Sequence, residues 1–222
     1  DTVLYKKIDF SSMNKTLYID NFAFWMENDM EKLPDVSFIP PMLRRRMSVL
    51  EKIAISLASK IAPNDTDYRT VFASRFGEWE QTIKLIRQFY NDKEMSPAGF
   101  SNSVHNAAMG HLSLLTHNKE SYTSIAGGDK TIENSLLDAM LTDKPVLFIY
   151  AEEQNPEEYT NALNTPVLSH GCAILIKNTG ENGYELTTNN ENIPPLSFQA
   201  LQESLETKTD IKTSSWILTK KQ

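Results

Sequence analysis

The sequence predicts a layered α/β chain built on a largely parallel or mixed sheet, and three observations carry that expectation. Short apolar runs of strand type precede segments of helical periodicity, first at Thr70–Ser74 with Trp79, Ile83, Ile86 and Tyr90, then at Tyr122–Ala126 with Ile132, Leu136 and Ala139. Two continuous apolar runs, Pro145–Tyr150 and Cys172–Ile176, have the character of strands covered on both faces. The chain's 222 residues, 40% hydrophobic and 23% charged, suffice for one compact domain that buries roughly 70% of its unfolded surface.

In chain order, Leu17–Phe24 mixes Leu, Tyr, Ile and Phe in short alternation and reads as a strand. A turn-rich acidic stretch runs to Pro34 and Asp35. Pro40 and Pro41 open a helix whose apolar face repeats at Leu43, Met47, Leu50, Ala54, Leu57 and Ile61, with Pro63-Asn64 ending it. Gly77 separates the strand at Thr70–Ser74 from the next helix, and Ser96-Pro97 breaks the chain again. Val104–Leu115 reads as a packing helix, because Ala107, Ala108 and Gly110 let another backbone come close. Gly127-Gly128 forms a tight turn between strand and helix, with Asp129 near the helix start. Gly183–Thr187 is expected to pair with Cys172–Ile176 across the turn Thr179–Gly183, and the last fifty residues lean β around one short helix at Phe198–Leu205.

Charge and composition exclude several function classes. With 29 acidic against 22 basic residues the net charge is −7, which disfavours a nucleic-acid partner. No window holds eighteen uninterrupted apolar residues, so no membrane span is expected. Asp1, Lys6, Lys7 and Asp9 interrupt the N-terminal segment, which therefore lacks the apolar core of a signal peptide. Cys172 is the single cysteine, so an internal disulfide and a paired-cysteine metal site are both out of reach. These features together predict a cytoplasmic setting, and no cofactor is expected.

Candidate chemistry is sparse. His105, His111 and His117 recur every six residues, but six steps on a helix turn about 600° and leave neighbours about 120° apart, so they cannot converge on one ion. Arg44, Arg45 and Arg46 could meet a phosphate or an acidic carrier protein, while the plainer reading is a solvated helix face. Cys172 follows His170 by two positions on a strand, a spacing that suits a buried thiol better than a nucleophile and its base. Nucleophile-elbow, phosphate-loop and dinucleotide-loop motifs are absent from the sequence. At the turn Gly127-Gly128-Asp129 a strand-to-helix elbow presents a carboxylate, which would equally serve as an ordinary N-cap.

The run Asn106–Ser113, followed at matching distance by Ser124–Ala126, the elbow and Leu136–Ala139, resembles the segment leading to the active-site cysteine of β-ketoacyl synthases. Pro166–Ile176 resembles the later strand of that family with its Gly-Glu-Gly-Ala signature, His170 standing where the family has glutamate. Ser37–Ser48, Val71–Glu78 and Ser96–Ala107 look like a branch of short ketosynthase-like proteins described as chain length factors and found in aryl polyene gene clusters. The match runs from Phe38 to Ile176.

That resemblance implies a thiolase-like fold in which residues 1–222 form a single N-terminal ketosynthase domain, with the C-terminal half absent. It places Asp129 where a ketosynthase has its nucleophilic cysteine. The family's two catalytic histidines come from the missing half, and His105, His111, His117 and His170 match neither. No catalytic residue and no metal ligand are therefore assigned. A carboxylate cannot form and release an acyl thioester as a thiolate does, so decarboxylative condensation by this chain alone is not expected. The resemblance implies instead a non-catalytic, chain-length-factor-like subunit of a heterodimer, shaping the acyl tunnel of an active ketosynthase that elongates polyene or fatty acyl chains. Acyl carrier protein would be an indirect partner. Phe100, Val104, Asn106, Met109 and Leu112 are expected to touch the partner or line the tunnel, with Phe100 or Met109 bulky enough to block a pocket. Two alternatives stay open: a small stand-alone acyl-group enzyme (a malonyl decarboxylase, or an acyltransferase or thioesterase) using Asp129 or Cys172, and a self-associating scaffold.

Overall fold

A computed structural model describes residues 14–62, 67–156, 159 and 168–221 of the chain. The described residues form eight strands and seven α-helices: β1 (Lys15–Met26), α1 (Pro41–Arg44), α2 (Val49–Ile61), β2 (Arg69–Ala73), α3 (Trp79–Asp92), α4 (Pro97–Ser101), α5 (Ala107–Thr116), β3 (Tyr122–Ile125), α6 (Thr131–Met140), β4 (Val146–Glu152), β5 (His170–Lys177), β6 (Gly183–Thr188), α7 (Phe198–Thr207), β7 (Ile211–Lys212) and β8 (Trp216–Lys220). Of the sequence expectations, Pro63-Asn64, Pro166 and the N-terminal segment through Asp9 lie outside the described residues.

One mixed sheet holds all eight strands in the order β3-β2-β4-β5-β1-β6-β8-β7. The β3-β2-β4 side is parallel, as strand-helix-strand units require, and the remaining pairings are antiparallel. Every residue of β4 is buried. Its side chains alternate, Val146, Phe148 and Tyr150 meeting the core under α6 and α7, and Leu147, Ile149 and Ala151 meeting the core under α2 and α5. The molecule is thus helix, sheet and helix in three layers, which explains the continuous apolar runs read from the sequence. Truncating one of these fully buried aliphatic side chains to alanine costs about 2–5 kcal/mol. Among the described residues no helix is long and apolar enough to cross a membrane.

Two local expectations need correction. β6 does not pair with β5, because β1 lies between them: Tyr18–Met26 pairs with β5 and Lys15–Tyr18 with β6. The turn 179–183 folds over β1 rather than closing a hairpin, its Glu181 and Asn182 amides donating to Asp20 Oδ1 beside the register shift between Ile19 and Asn21. A side chain at Gly180 would collide with the Asp20 carboxylate. The helix read from Pro41 to Ile61 is two helices. Ser48 turns extended and caps α2, its Oγ accepting from the Glu51 amide while Glu51 Oε2 accepts from the Ser48 amide, both at 3.0 Å.

Candidate functional site

The strand-to-helix elbow forms as the sequence predicts. After β3 the chain passes Gly127 and enters a short 3-10 turn, Gly128–Lys130, that runs into α6. Gly128 has φ +59°, a left-handed conformation that favours glycine. Asp129 is not an N-cap. Neither the turn nor α6 carries a side-chain cap; Thr131 instead ties the elbow together, its Oγ1 accepting from the Gly127 amide at 2.9 Å and donating to the Gly128 carbonyl at 2.7 Å. Asp129 is left 69% exposed, and its Oδ1 meets Arg75 Nη1 at 2.6 Å.

Arg75 is held from below. Glu152, at the end of β4, is 2% exposed. It accepts from Ser74 Oγ at 3.1 Å, from the amides of Arg75 and Phe76, and from the Tyr150 hydroxyl. Burial pushes the Glu152 carboxyl up to about 7 against these donors, which pull the other way. Ser74 Oγ also accepts from the Gly77 amide at 2.8 Å, closing the loop on itself. Gly77 has φ +61°, and a Cβ there would come within 2.7 Å of His105 Cδ2. The His105 Nε2–H in turn donates to the Ser74 carbonyl at 2.8 Å.

The elbow opens onto a cavity of about 370 Å³ lined by Arg75, Asp129, Tyr150, His170 and Phe198, with Met26 among the apolar walls. His170 donates from Nδ1 to the Leu168 carbonyl at 2.7 Å, and its ring packs edge-on to Phe198 at 4.6 Å. Burial lowers the His170 pKa, so the ring is neutral at pH 7. Cys172 takes no part. It is 0% exposed, and burial pushes its thiol well above the ordinary range, so it is neither accessible nor ionised. The acyl-enzyme alternative resting on Cys172 loses its nucleophile.

The other sequence candidates scatter. Phe100 is 57% exposed; Val104 and Asn106 are exposed too, Asn106 Nδ2 lying 3.5 Å from the Tyr122 hydroxyl. Met109, at 1% exposure, and Leu112 pack into the chain's own core with Leu50, Ile53 and Phe72 and present no surface to a partner. His111 Nδ1–H donates to the buried Glu51 carboxylate at 3.0 Å, and His117 terminates α5 with φ 55°. Arg44 reaches the Val36 carbonyl, while Arg45 and Arg46 are exposed. Arg75, Tyr150, Glu152 and Phe198 were not singled out by the sequence.

A larger cleft of about 560 Å³ lies near the start of α2 and α3. Its charged groups serve the scaffold: Glu27 accepts from the Ser169 amide and pairs with Lys32, Glu153 accepts from the Glu80 amide, and Lys84 pairs with Glu80.

Comparison with known proteins places this architecture. Residues 21–221 match the family model for the β-ketoacyl synthase N-terminal domain. The chain belongs to that family. No curated protein matches it in sequence. Among solved structures, this ketosynthase domain is similar to a chain in the complex of the ketosynthase ApeO with its chain length factor ApeC from Xenorhabdus doucetiae, with TM-score 0.74, 20% identity, and coverage of 92% of this chain and 99% of that one. It is also similar to the ishigamide ketosynthase/chain length factor, with TM-score 0.52, 16% identity, and 60% and 44% of the two chains covered. A third likeness is to AntDE:AntF, a type II acyl-carrier protein in complex with its ketosynthase, with TM-score 0.59, 14% identity, and 75% and 64% covered. The ketosynthase domain thus spans nearly all of the first chain and about half to two thirds of the other two. At these identities the likeness is one of fold.

Proposed function

We propose that this chain is a chain-length-factor-like subunit with no condensation chemistry of its own, which pairs with an active ketosynthase in the cytoplasm and helps shape its acyl tunnel during polyene or fatty acyl elongation. The observation that carries this is Asp129 on the elbow, the position at which the resemblance to β-ketoacyl synthases implies the nucleophilic cysteine. Condensation needs a thiolate that takes and returns an acyl group. Here the elbow offers a carboxylate already engaged by Arg75, and the one thiol of the chain is sealed in the core.

The surface supports a pairing role. β3 is an edge strand with four residues, the kind of unpaired border on which a second sheet can dock. Exposed Phe100 on α4, Val104 on the loop after it, Leu114 on α5 and Tyr122 on the strand itself lie along the segment that leads into β3. Phe100 is the residue assigned to the partner's tunnel, with Val104 and Asn106 flanking it. Met109 and Leu112 support this surface from the core. Carrier protein is placed as a partner of the ketosynthase subunit rather than of this chain.

The test is product length. Co-expressed with a ketosynthase that it is found to bind, the Phe100→Ala chain is expected to give a complex whose products are longer or more heterogeneous than those of the parent complex. Unchanged products from an intact complex would remove Phe100 from the tunnel and, with it, the proposed role of this surface.

A further inference from the structure

The cavity at the elbow has features that the pairing role does not use. Its walls are apolar on several sides, with Met26, Ile132, Leu196 and Phe198, and its volume of about 370 Å³ falls at the small end of the about 300–1,000 Å³ typical of ligand pockets. Among the described residues, Arg75 is the cation that lines this cavity. Its guanidinium carries five N–H donors in a planar fork, and the contact with Asp129 engages Nη1. The group also lies over the Phe76 ring, 4.9 Å from its centroid, a contact that does not involve Asp129, and Glu152 anchors the Arg75 backbone amide.

Asp129 is a weak tenant of this fork. Its side chain is mostly solvent-exposed and makes a surface ion pair of a kind worth little net free energy. A ligand carboxylate that brings an apolar body into the cavity adds burial that Asp129 cannot offer. Across the cavity, the buried His170 spends its Nδ1–H on the Leu168 carbonyl, and burial disfavours a charge on the ring.

We propose that this cavity is a non-covalent binding site for a small free carboxylic acid with an apolar body, its carboxylate taken by Arg75 in place of Asp129 and its body packed against Phe198 and Ile132. The site belongs to this chain alone and does not require a ketosynthase partner, so it stands or falls separately from the pairing role.

Calorimetric titration of the full chain with octanoate and with 3-phenylpropanoate tests it, octan-1-ol serving as the uncharged control. Saturable binding of at least one acid, at least tenfold tighter than octan-1-ol, is expected, and the tighter acid shows whether the body is aliphatic or aromatic. Arg75→Ala is expected to weaken binding at least tenfold. Asp129→Asn, which removes the competing carboxylate, is expected to tighten it about threefold or more. Absence of saturable binding, equal binding of acid and alcohol, or an Asp129→Asn chain that binds no tighter than the parent would overturn the proposal. The last readout holds even where Arg75→Ala perturbs the fold, because Asp129 is exposed.

Discussion

Glu78 shows how much of this molecule's behaviour rests on single buried acids. It is buried beside Glu51 and Glu153, its Oε1 accepts from Ser48 Oγ at 3.1 Å, and its Oε2 has no hydrogen-bond partner among the described residues. Burial, reinforced by the Glu51 charge, pushes its carboxyl from about 4.5 up to about 9, and Glu152 is pushed to about 7. Both acids bind a proton more tightly folded than unfolded, so their contribution is fully present below about pH 4.5. It is lost as the pH rises to about 9 for Glu78 and about 7 for Glu152, at up to about 1.4 kcal/mol per pH unit per group. We therefore expect the chain to melt at lower temperature at pH 8 than at pH 6. Glu78→Gln, which keeps the acceptor for Ser48, should flatten that dependence and raise stability at pH 8. Urea titrations at the two pH values check this; a Glu78→Gln chain with the parent's pH dependence contradicts it. At the same scale, the purified chain should turn over neither malonyl- nor acyl-carrier substrates. Turnover abolished by Asp129→Asn would make Asp129 a catalytic base and the chain an enzyme in its own right.

At the scale of elements, two glycines separate what the chain needs from what it tolerates. Gly77 combines a left-handed backbone with a close approach to the His105 ring, so Gly77→Ala should cost about 1–3 kcal/mol and loosen the loop that carries Arg75. Gly110 lies inside α5 with open space where a Cβ would go, so Gly110→Ala should stabilise the isolated chain by about 0.5–1 kcal/mol. Equal effects of the two substitutions in chemical denaturation would contradict this. Gly110 also qualifies the expected packing role of α5, since Ala108, Met109 and Leu112 enter the core shared with α2 and no atom of the described residues lies within 4 Å of a Cβ at Gly110. Ser48→Ala removes the capping box of α2 and should cost about 1 kcal/mol. The signal for that box, Ser48 followed three residues later by Glu51, was present in the sequence. The continuous apolar period from Leu43 to Ile61 hid the break it marks.

At the scale of the whole molecule, what was legible in the sequence was local. Strand and helix alternation, the double-glycine elbow and the burial of Cys172 follow from patterns within a few residues of one another. Pairings between distant segments were not. β1 separates β5 from β6 because a twelve-residue strand can offer one stretch to each neighbour, and adjacent strands in sequence give no hint of an intruder from the N-terminal side. The Arg75–Asp129 contact follows from the parallel register that sets Ala73 beside Ile125, which brings together the loops leaving β2 and β3. A resemblance to a family names the elbow and its missing thiol, but only the sheet register shows which cation meets the acid. The burial of Met109 and Leu112 has the same origin: α2 and β2 close over them from far away in sequence.

The central claim, that this chain acts as the silent partner of a ketosynthase, is tested most directly by native mass spectrometry of the chain co-expressed with the ketosynthases of its own source genome. We expect one copy of each subunit in a stable complex, and no such complex when Phe100 and Val104 are both replaced by aspartate. Two non-interacting species, or a complex made only of copies of this chain, would contradict the account.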